Sequence, residues 1–354
     1  MTNKEIIVTV GPSSCNKETL QNLRSAGADI FRINLSHSNE EDLKKYLNVF
    51  DEADIVPSID TQGPQLRVKE FSLPKEIKIN DEFFLYFGHK KEDLKRNYIC
   101  LNHPEVSNQI EIGDILKIDF NGLAIKITDK LYDEKFICNV IATGSVLINR
   151  AVDISGKTVK LNVLTDFDKF AIDYSFKRGC RNFFCSFVSS SEDILNIRKL
   201  IPVGTKLISK VETAKSLVNI EEIFKNSDAV LIDRGDLSRE ISIALVPIAV
   251  EKVLSISKKY KKHIYIATNI LDSMMQSKVP SRAEISDIYN LLSMGATGLV
   301  LAAEVAIGQH PVESVALVKY MMKLYEQHSN GLLGIGQFSK PNQSLVGEEL
   351  YQWL

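Results

Sequence analysis

The chain has 354 residues, 44% hydrophobic and 25% charged, with a formal net charge of −2. That fits a water-soluble globular protein with room for one large α/β domain and a smaller one, and gives no reason to expect nucleic acid or an anionic membrane as partner. The five cysteines (Cys15, Cys100, Cys138, Cys180, Cys185) form no CxxC pair, and the opening MTNKEIIVTVGP is too short an apolar run for a signal peptide, so the expected setting is a reducing cytoplasm.

In chain order, IIVTV reads as a first strand, KETLQNLRSAG as an amphipathic helix, DIFRINL as a second strand, EEDLKKYLNVFDEA as a helix and VPSID as a third strand. Between about Val68 and Lys157 the pattern changes. IKINDEFFLYF, GDILKIDFNGLAIKI and KFICNVIATGSVLI are short alternating runs separated by Asp, Asn and Gly turns, the hairpin signals of a small all-β domain. Alternation of strand and helix then resumes with NFFCSF, SEDILNIRKLI, KLISKV, AVLID, IYIAT and GLVLAA. Eight strands alternating with helices imply a parallel sheet, and that number closes a (β/α)8 TIM barrel. An open doubly wound sheet is the alternative. The expected organisation is a barrel over residues 1–67 and 158–327, an inserted β-barrel-like lid domain over 68–157 after the third strand, and a C-terminal arm over 328–354.

In such a barrel the chemistry sits where strands end and βα loops begin. Those positions hold Gly11-Pro12-Ser13-Ser14, then Arg32, Asn34, Ser36 and His37, then Asp60-Thr61-Gln62-Gly63-Pro64. Later strands deliver Lys210 and Glu212, Asp233, Arg234 and Asp236, Thr268, and Glu304. Lys210 and Glu212 are two apart, so on a strand they share a face, an acid-or-base lysine beside a carboxylate. Glu212 and Asp236, from adjacent strands, suit one divalent cation, because two carboxylates with substrate oxygens and waters make the usual Mg²⁺ or Mn²⁺ site. Arg32 would clamp an anionic substrate, and the helix opening at Thr213 offers backbone N–H groups. Each feature also has a plainer structural reading. Lys210 and Glu212 fit a rim ion pair, RGD a loop Arg–Asp pair, Asn34 and Ser36 a turn and cap, and GPSS a turn followed by a helix cap. What favours a site is coincidence: polar groups end most of the strands at the same face.

At these residues the chain resembles pyruvate kinase. TVGPSS, FRINLSHS, IDTQGPQLR, SFVSSSEDI, LISKVET, DRGDLSREI, ATNILDSM, PSRAEISDIYNLLSMGATGLVL and AEVAIGQHPVE occur in the family's order and spacing over about residues 5–320. The resemblance implies a barrel with an inserted mobile lid, here in a short form without the family's C-terminal domain. It implies phosphoryl transfer from phosphoenolpyruvate (PEP) to ADP, giving pyruvate and ATP through a metal-stabilised enolate. Carried over residue by residue, Arg32 looks like the arginine that binds the phosphoryl group, and Lys210 like the lysine that stabilises the transfer and the enolate. Thr268 looks like the residue near the enolate's methylene carbon, and Gly235 with its following helix like the binder of the substrate carboxylate. Glu212 and Asp236 look like ligands of Mg²⁺ or Mn²⁺, and Asn34, Ser36, Asp60 and Thr61 like ligands of K⁺.

The departures from the family pattern cluster on one side. DTKGPE appears as DTQGPQ, with Gln62 in place of a lysine and Gln65 at a position linked to potassium dependence. ARGD appears as Asp233-Arg234-Gly235-Asp236, which adds a negative charge beside the metal. SGETAKG appears as Ala302-Ala303-Glu304-Val305-Ala306-Ile307-Gly308, so a lysine and a threonine near the nucleotide are apolar here. The enolpyruvate half of the site is intact and the nucleotide half eroded. Two further readings therefore stand beside the kinase: the same residues used for other pyruvate or PEP enolate chemistry (an aldol or lyase step, or a different phosphoryl acceptor), and a non-catalytic protein that binds PEP or pyruvate. The expected partners are small molecules and, at the level of assembly, a homodimer.

Overall fold

The computed structural model describes residues 4–88, 97–118, 122–132, 135–157 and 159–332. Three strands open the chain: β1 (Glu5–Val10), β2 (Ile30–Asn34) and β3 (Ser58–Asp60). Seven follow before the next long helix: β4 (Val68–Ser72), β5 (Glu82–Phe87), β6 (Tyr98–Leu101), β7 (Ile115–Ile118), β8 (Ala124–Tyr132), β9 (Lys135–Ala142) and β10 (Val152–Ile154). Five close the series: β11 (Asn182–Cys185), β12 (Lys206–Val211), β13 (Ala229–Asp233), β14 (His263–Ala267) and β15 (Gly298–Leu301).

Strands β1–β3 and β11–β15 form one closed barrel in the order β1-β15-β14-β13-β12-β11-β3-β2, with every pairing parallel. The expected barrel strands are all present, and the open-sheet alternative falls. These strands are buried on both faces, which is why they read as nearly continuous apolar runs. The helices between them begin at side-chain caps visible in the sequence: Asn39, Ser190, Thr213 and Ser281 each make a capping box. Gly27 and Gly295, at φ of 114° and 108°, end the helices Lys17–Ala26 and Arg282–Met294 in the left-handed conformation a side chain would resist. Inside the barrel Ile7, Phe184, Ile208, Ala229, Leu231, Tyr265, Ala267 and Val300 pack as one cluster, with Ile30 against it. No helix among the described residues is long and apolar enough to cross a membrane.

The second sheet is a unit in its own right, with strand order β10-β7-β8-β9-β5-β6-β4. It belongs to a compact body spanning Gly63–Thr165, and its core includes Phe83, Leu85, Phe87, Leu116, Ile125, Phe136 and Val140. Most of its pairings are antiparallel, as hairpin signals predict, but β5 and β6 run parallel. The IKIN and GSVLI pieces, read as strand in the sequence, are coil and turn. The last helix among the described residues runs Pro311–Ser329, and the apolar arm expected around Leu350, Trp353 and Leu354 lies outside them.

Candidate active site

The barrel's interior dictates what reaches its mouth. Ile208 and Leu231 belong to the internal cluster, and Ile30 packs against it. The residues two further along the same strands, Arg32, Lys210 and Asp233, take the next inward position toward the C-terminal ends. Polar side chains thus succeed the apolar ones on one face, and they form a buried ionic network.

Arg32 is 2% exposed, and its Nη1 lies 2.9 Å from Asp60 Oδ2. Its Nε and Nη2 donate to Thr9 Oγ1 at 3.1 and 2.8 Å, and the guanidinium lies 5.4 Å from the centre of the Phe184 ring. Nη1 makes its ion contact without a hydrogen bond in line, so this buried cation keeps donor capacity. Lys210 Nζ sits 3.1 Å from Asp60 Oδ1 and 2.8 Å from Glu212 Oε1, and donates to Ser186 Oγ at 3.1 Å. Asp60, wholly buried, therefore joins the arginine to the lysine. Burial alone would lower the Lys210 pKa, but Asp60, Glu212 and Asp233 together raise it above the ordinary lysine range. The ammonium keeps its proton.

Glu212 is 1% exposed, and its Oε2 accepts from the Phe187 N–H at 2.6 Å. Phe187 presents that N–H from a left-handed backbone, φ 55°. Burial, with Asp236 and Asp233 nearby, outweighs Lys210 and pushes the Glu212 carboxyl up to about 8. Its Oε1 is buried with no hydrogen bond in line. Oxygens of Glu212, Asp233 and Asp236 all lie within 4.8 Å of one another. That is an oxygen set of the kind Mg²⁺ or Mn²⁺ takes, and the position of Glu212 Oε1 suits a cation.

Asp233 ends β13 and caps the helix Arg234–Glu240, its Oδ1 accepting from the Gly235 N–H at 3.1 Å. The same oxygen accepts from Thr268 Oγ1 at 2.5 Å. Burial would raise this carboxyl, but Lys210, Thr268, Arg32 and the Gly235 N–H hold it below the ordinary range. A Cβ at 235 would stand 2.9 Å from Thr268 Cγ2 and 3.3 Å from Asp233 Oδ1, so any side chain there has to push Thr268 aside. Thr268 itself has φ 77°, a costly conformation for a β-branched residue. Arg234 holds it there: its guanidinium donates to the carbonyls of Ala267, Thr268 and Asn269 and pairs with Asp287 Oδ2 at 2.8 Å.

The remaining candidates divide. Asn34 and Asp60 are register partners on β2 and β3. The Asn34 amide oxygen accepts from the Ser36 N–H at 2.9 Å, and Ser186 Oγ donates to the Thr61 carbonyl at 2.7 Å. Glu304 is buried, its carboxylate accepting from the N–H groups of Leu271 and Ala302. Thr9, Ser186 and the Phe187 N–H were not among the residues picked out by sequence. A threonine inside IIVTV carries no signal, and Ser186 is legible only by counting two past the inward Phe184.

A closed parallel barrel with a buried ionic network at the C-terminal ends of its strands has the layout of the barrel enzymes. Residues 1–315 match the pyruvate kinase barrel domain, and the chain belongs to the pyruvate kinase family. It is 32% identical to the pyruvate kinase of Thermotoga maritima over 337 residues, covering 92% of this chain and 72% of that one. The pyruvate kinase of Methanocaldococcus jannaschii is 30% identical over 335 residues, covering 93% and 70%. Among solved structures, a crystal structure of Cryptosporidium parvum pyruvate kinase is similar at a TM-score of 0.77 and 25% identity, covering 92% of this chain and 71% of that one.

Proposed function

We propose that this barrel transfers the phosphoryl group of PEP to ADP. The observation that carries the reading is the single buried network of Arg32, Asp60, Lys210 and Glu212, assembled at the strand ends of a pyruvate kinase family barrel. Arg32, with donor capacity left at Nη1, meets the phosphoryl oxygens. Lys210, whose pKa its carboxylate neighbours raise, stabilises as a cation the negative charge developing on the enolate oxygen. Gly235 N–H and Thr268 Oγ1, which both donate to Asp233 Oδ1, are the donors that a substrate carboxylate would take over, and Arg234 keeps Thr268 in position. Glu212 and Asp236, with Asp233 beside them, are the residues that would hold Mg²⁺ or Mn²⁺. Such a cation supplies Lewis-acid charge stabilisation to substrate oxygens when bound.

The potassium set fits less well. Asp60 already lies between Arg32 and Lys210, and oxygens of Asn34 and Thr61 accept from protein donors. The unit over Gly63–Thr165 serves as the lid. Barrel segment 243–248, with Ile243 78%, Leu245 50% and Ile248 61% exposed, is the face for a dimer. Sedimentation at tens of micromolar checks this: a dimer that Ile243→Lys dissociates is expected, and a monomer contradicts it.

One observation favours the second reading, enolate chemistry without ADP. The segment after β15, residues 302–310, offers an exposed Ile307 and a Glu304 engaged by backbone N–H groups, and has no lysine or arginine to meet a nucleotide phosphate. The deciding measurement is ³¹P NMR of PEP with protein, Mg²⁺ and K⁺, with and without ADP. Conversion that requires ADP and stops on chelation is the expected result. Consumption of PEP without ADP, or exchange of pyruvate's methyl protons without ATP synthesis, selects the second reading.

A further inference from the structure

The side chain of Asp233 does something its neighbours in the network do not. Its Oδ1 collects both the Gly235 N–H at 3.1 Å and the Thr268 hydroxyl at 2.5 Å. A helix cap explains the first of these bonds and not the second. Nor does capping require that an oxygen of the same residue stand within 4.8 Å of oxygens of Glu212 and Asp236. Glu212 Oε1, on a side chain 1% exposed, is buried there with Lys210 Nζ at 2.8 Å.

We propose that Asp233 is the protein's own stand-in for a ligand carboxylate: it occupies the donor pair of Gly235 and Thr268 and adds a third carboxylate to the cation site. The inference rests on the reading of that site given above. Physically, a carboxylate-bearing ligand must offer the cation an oxygen and find donors for its remaining lone pairs. Two donors beside the cluster are the Gly235 N–H and the Thr268 hydroxyl, and Asp233 already holds both. An incoming carboxylate therefore has to displace a charged side chain and then lie against it. Like charges at this distance in a buried site repel strongly. The consequence is a site that holds the bare cation more tightly, and a carboxylate-bearing substrate less tightly, than the same site would without Asp233, so Asp233 tunes affinity at the enolate end.

Two variants and two ligands test this on the full chain. Asp233→Ala removes the carboxylate. Asp233→Asn keeps an acceptor of the same shape for Gly235 and Thr268 but drops the charge. Mn²⁺ binding is read by electron paramagnetic resonance without any ligand, and oxalate binding in the presence of saturating Mn²⁺ by calorimetry. In Asp233→Ala, Mn²⁺ alone binds more weakly, while oxalate with Mn²⁺ binds more tightly by roughly tenfold or more, the scale of one charge-assisted contact. Asp233→Asn falls between it and the parent for oxalate. A residue that merely capped the helix would weaken both together on removal. Oxalate affinity unchanged or weakened in both variants, with Mn²⁺ still bound by the parent, overturns this inference alone. Absence of Mn²⁺ binding in the parent overturns it together with the metal reading of the site. If Asp233→Ala does not fold, the Asn variant decides by the same signs.

Discussion

Glu212 shows how one side chain ties stability to cation binding. Its carboxyl holds a proton up to about pH 8, where an ordinary glutamic acid has a value of 4.5. Between those values the folded chain keeps a proton that the unfolded chain releases. Stability therefore falls as pH rises through that window and levels off above about 8. Asp233 is shifted the other way, so its favourable contribution is present above its ordinary value of 3.8 and is lost only in stronger acid. A cation needs Glu212 ionised, and it relieves the repulsion that makes ionisation costly. We expect Mg²⁺ to raise the melting temperature more at about pH 8 than at about pH 6, and Glu212→Gln to flatten the metal-free pH slope. Equal Mg²⁺ effects at both pH values in the parent would contradict this. Lys210→Ala is harsher: it removes the cation between Asp60 and Glu212 and leaves Asp60 to Arg32 alone, at a cost of up to about 3 kcal/mol. Phosphoryl transfer should vanish even when only the folded fraction, measured by circular dichroism, is counted.

The loop after β14 is held by an element it does not belong to. Arg234, first residue of the helix after β13, grips successive carbonyls of that loop while Asp287 on the helix Arg282–Met294 anchors its far side. Thr268 at φ 77° needs such a grip, because conformations of this kind cost about 1–3 kcal/mol when nothing enforces them. Arg234→Ala should therefore lower kcat much more than it changes KM, with Mn²⁺ binding retained. Asp287→Asn should give a weaker version of the same pattern. An unchanged kcat in Arg234→Ala would show that the loop holds itself. In the sequence RGD reads as a loop ion pair, and neither the side chain's direction nor its acceptors can be read from it. The barrel strands were legible because burial on both faces leaves long apolar runs. Arg32, Lys210, Glu212 and Asp236 were legible because charge at the end of such a run is costly without a partner. The β5–β6 pairing was not legible, since turn residues predict hairpins and nothing local specifies a parallel neighbour across a connection. Thr9 was hidden by being an ordinary strand residue whose hydroxyl finds its partner on another strand.

At the scale of the whole molecule, the chain leaves the barrel and returns to it at neighbouring points. The Gln62 N–H donates to Asp168 Oδ1 at 2.7 Å, and Asp168 lies in the first turn of the helix Asp166–Phe176. Gly63–Thr165, the chain between, has an apolar core of its own, while β1–β3 and β11–β15 close without it. Inserted units whose ends meet can be removed without breaking their host's core. We therefore expect that replacing residues 63–165 with about five Gly and Ser residues leaves a barrel that unfolds in one cooperative transition. Arg32, Asp60, Lys210, Glu212, Asp233, Asp236 and Thr268 all remain, so Mn²⁺ binding should persist at the parent's affinity. Turnover should not persist, because the lid is the part expected to exclude water during the reaction. The two readouts separate the claims. A shortened chain that binds Mn²⁺ and still turns over PEP at the parent rate removes the lid role and leaves the site intact. A shortened chain that aggregates, or melts without a cooperative transition, shows instead that the barrel depends on the inserted unit for its fold.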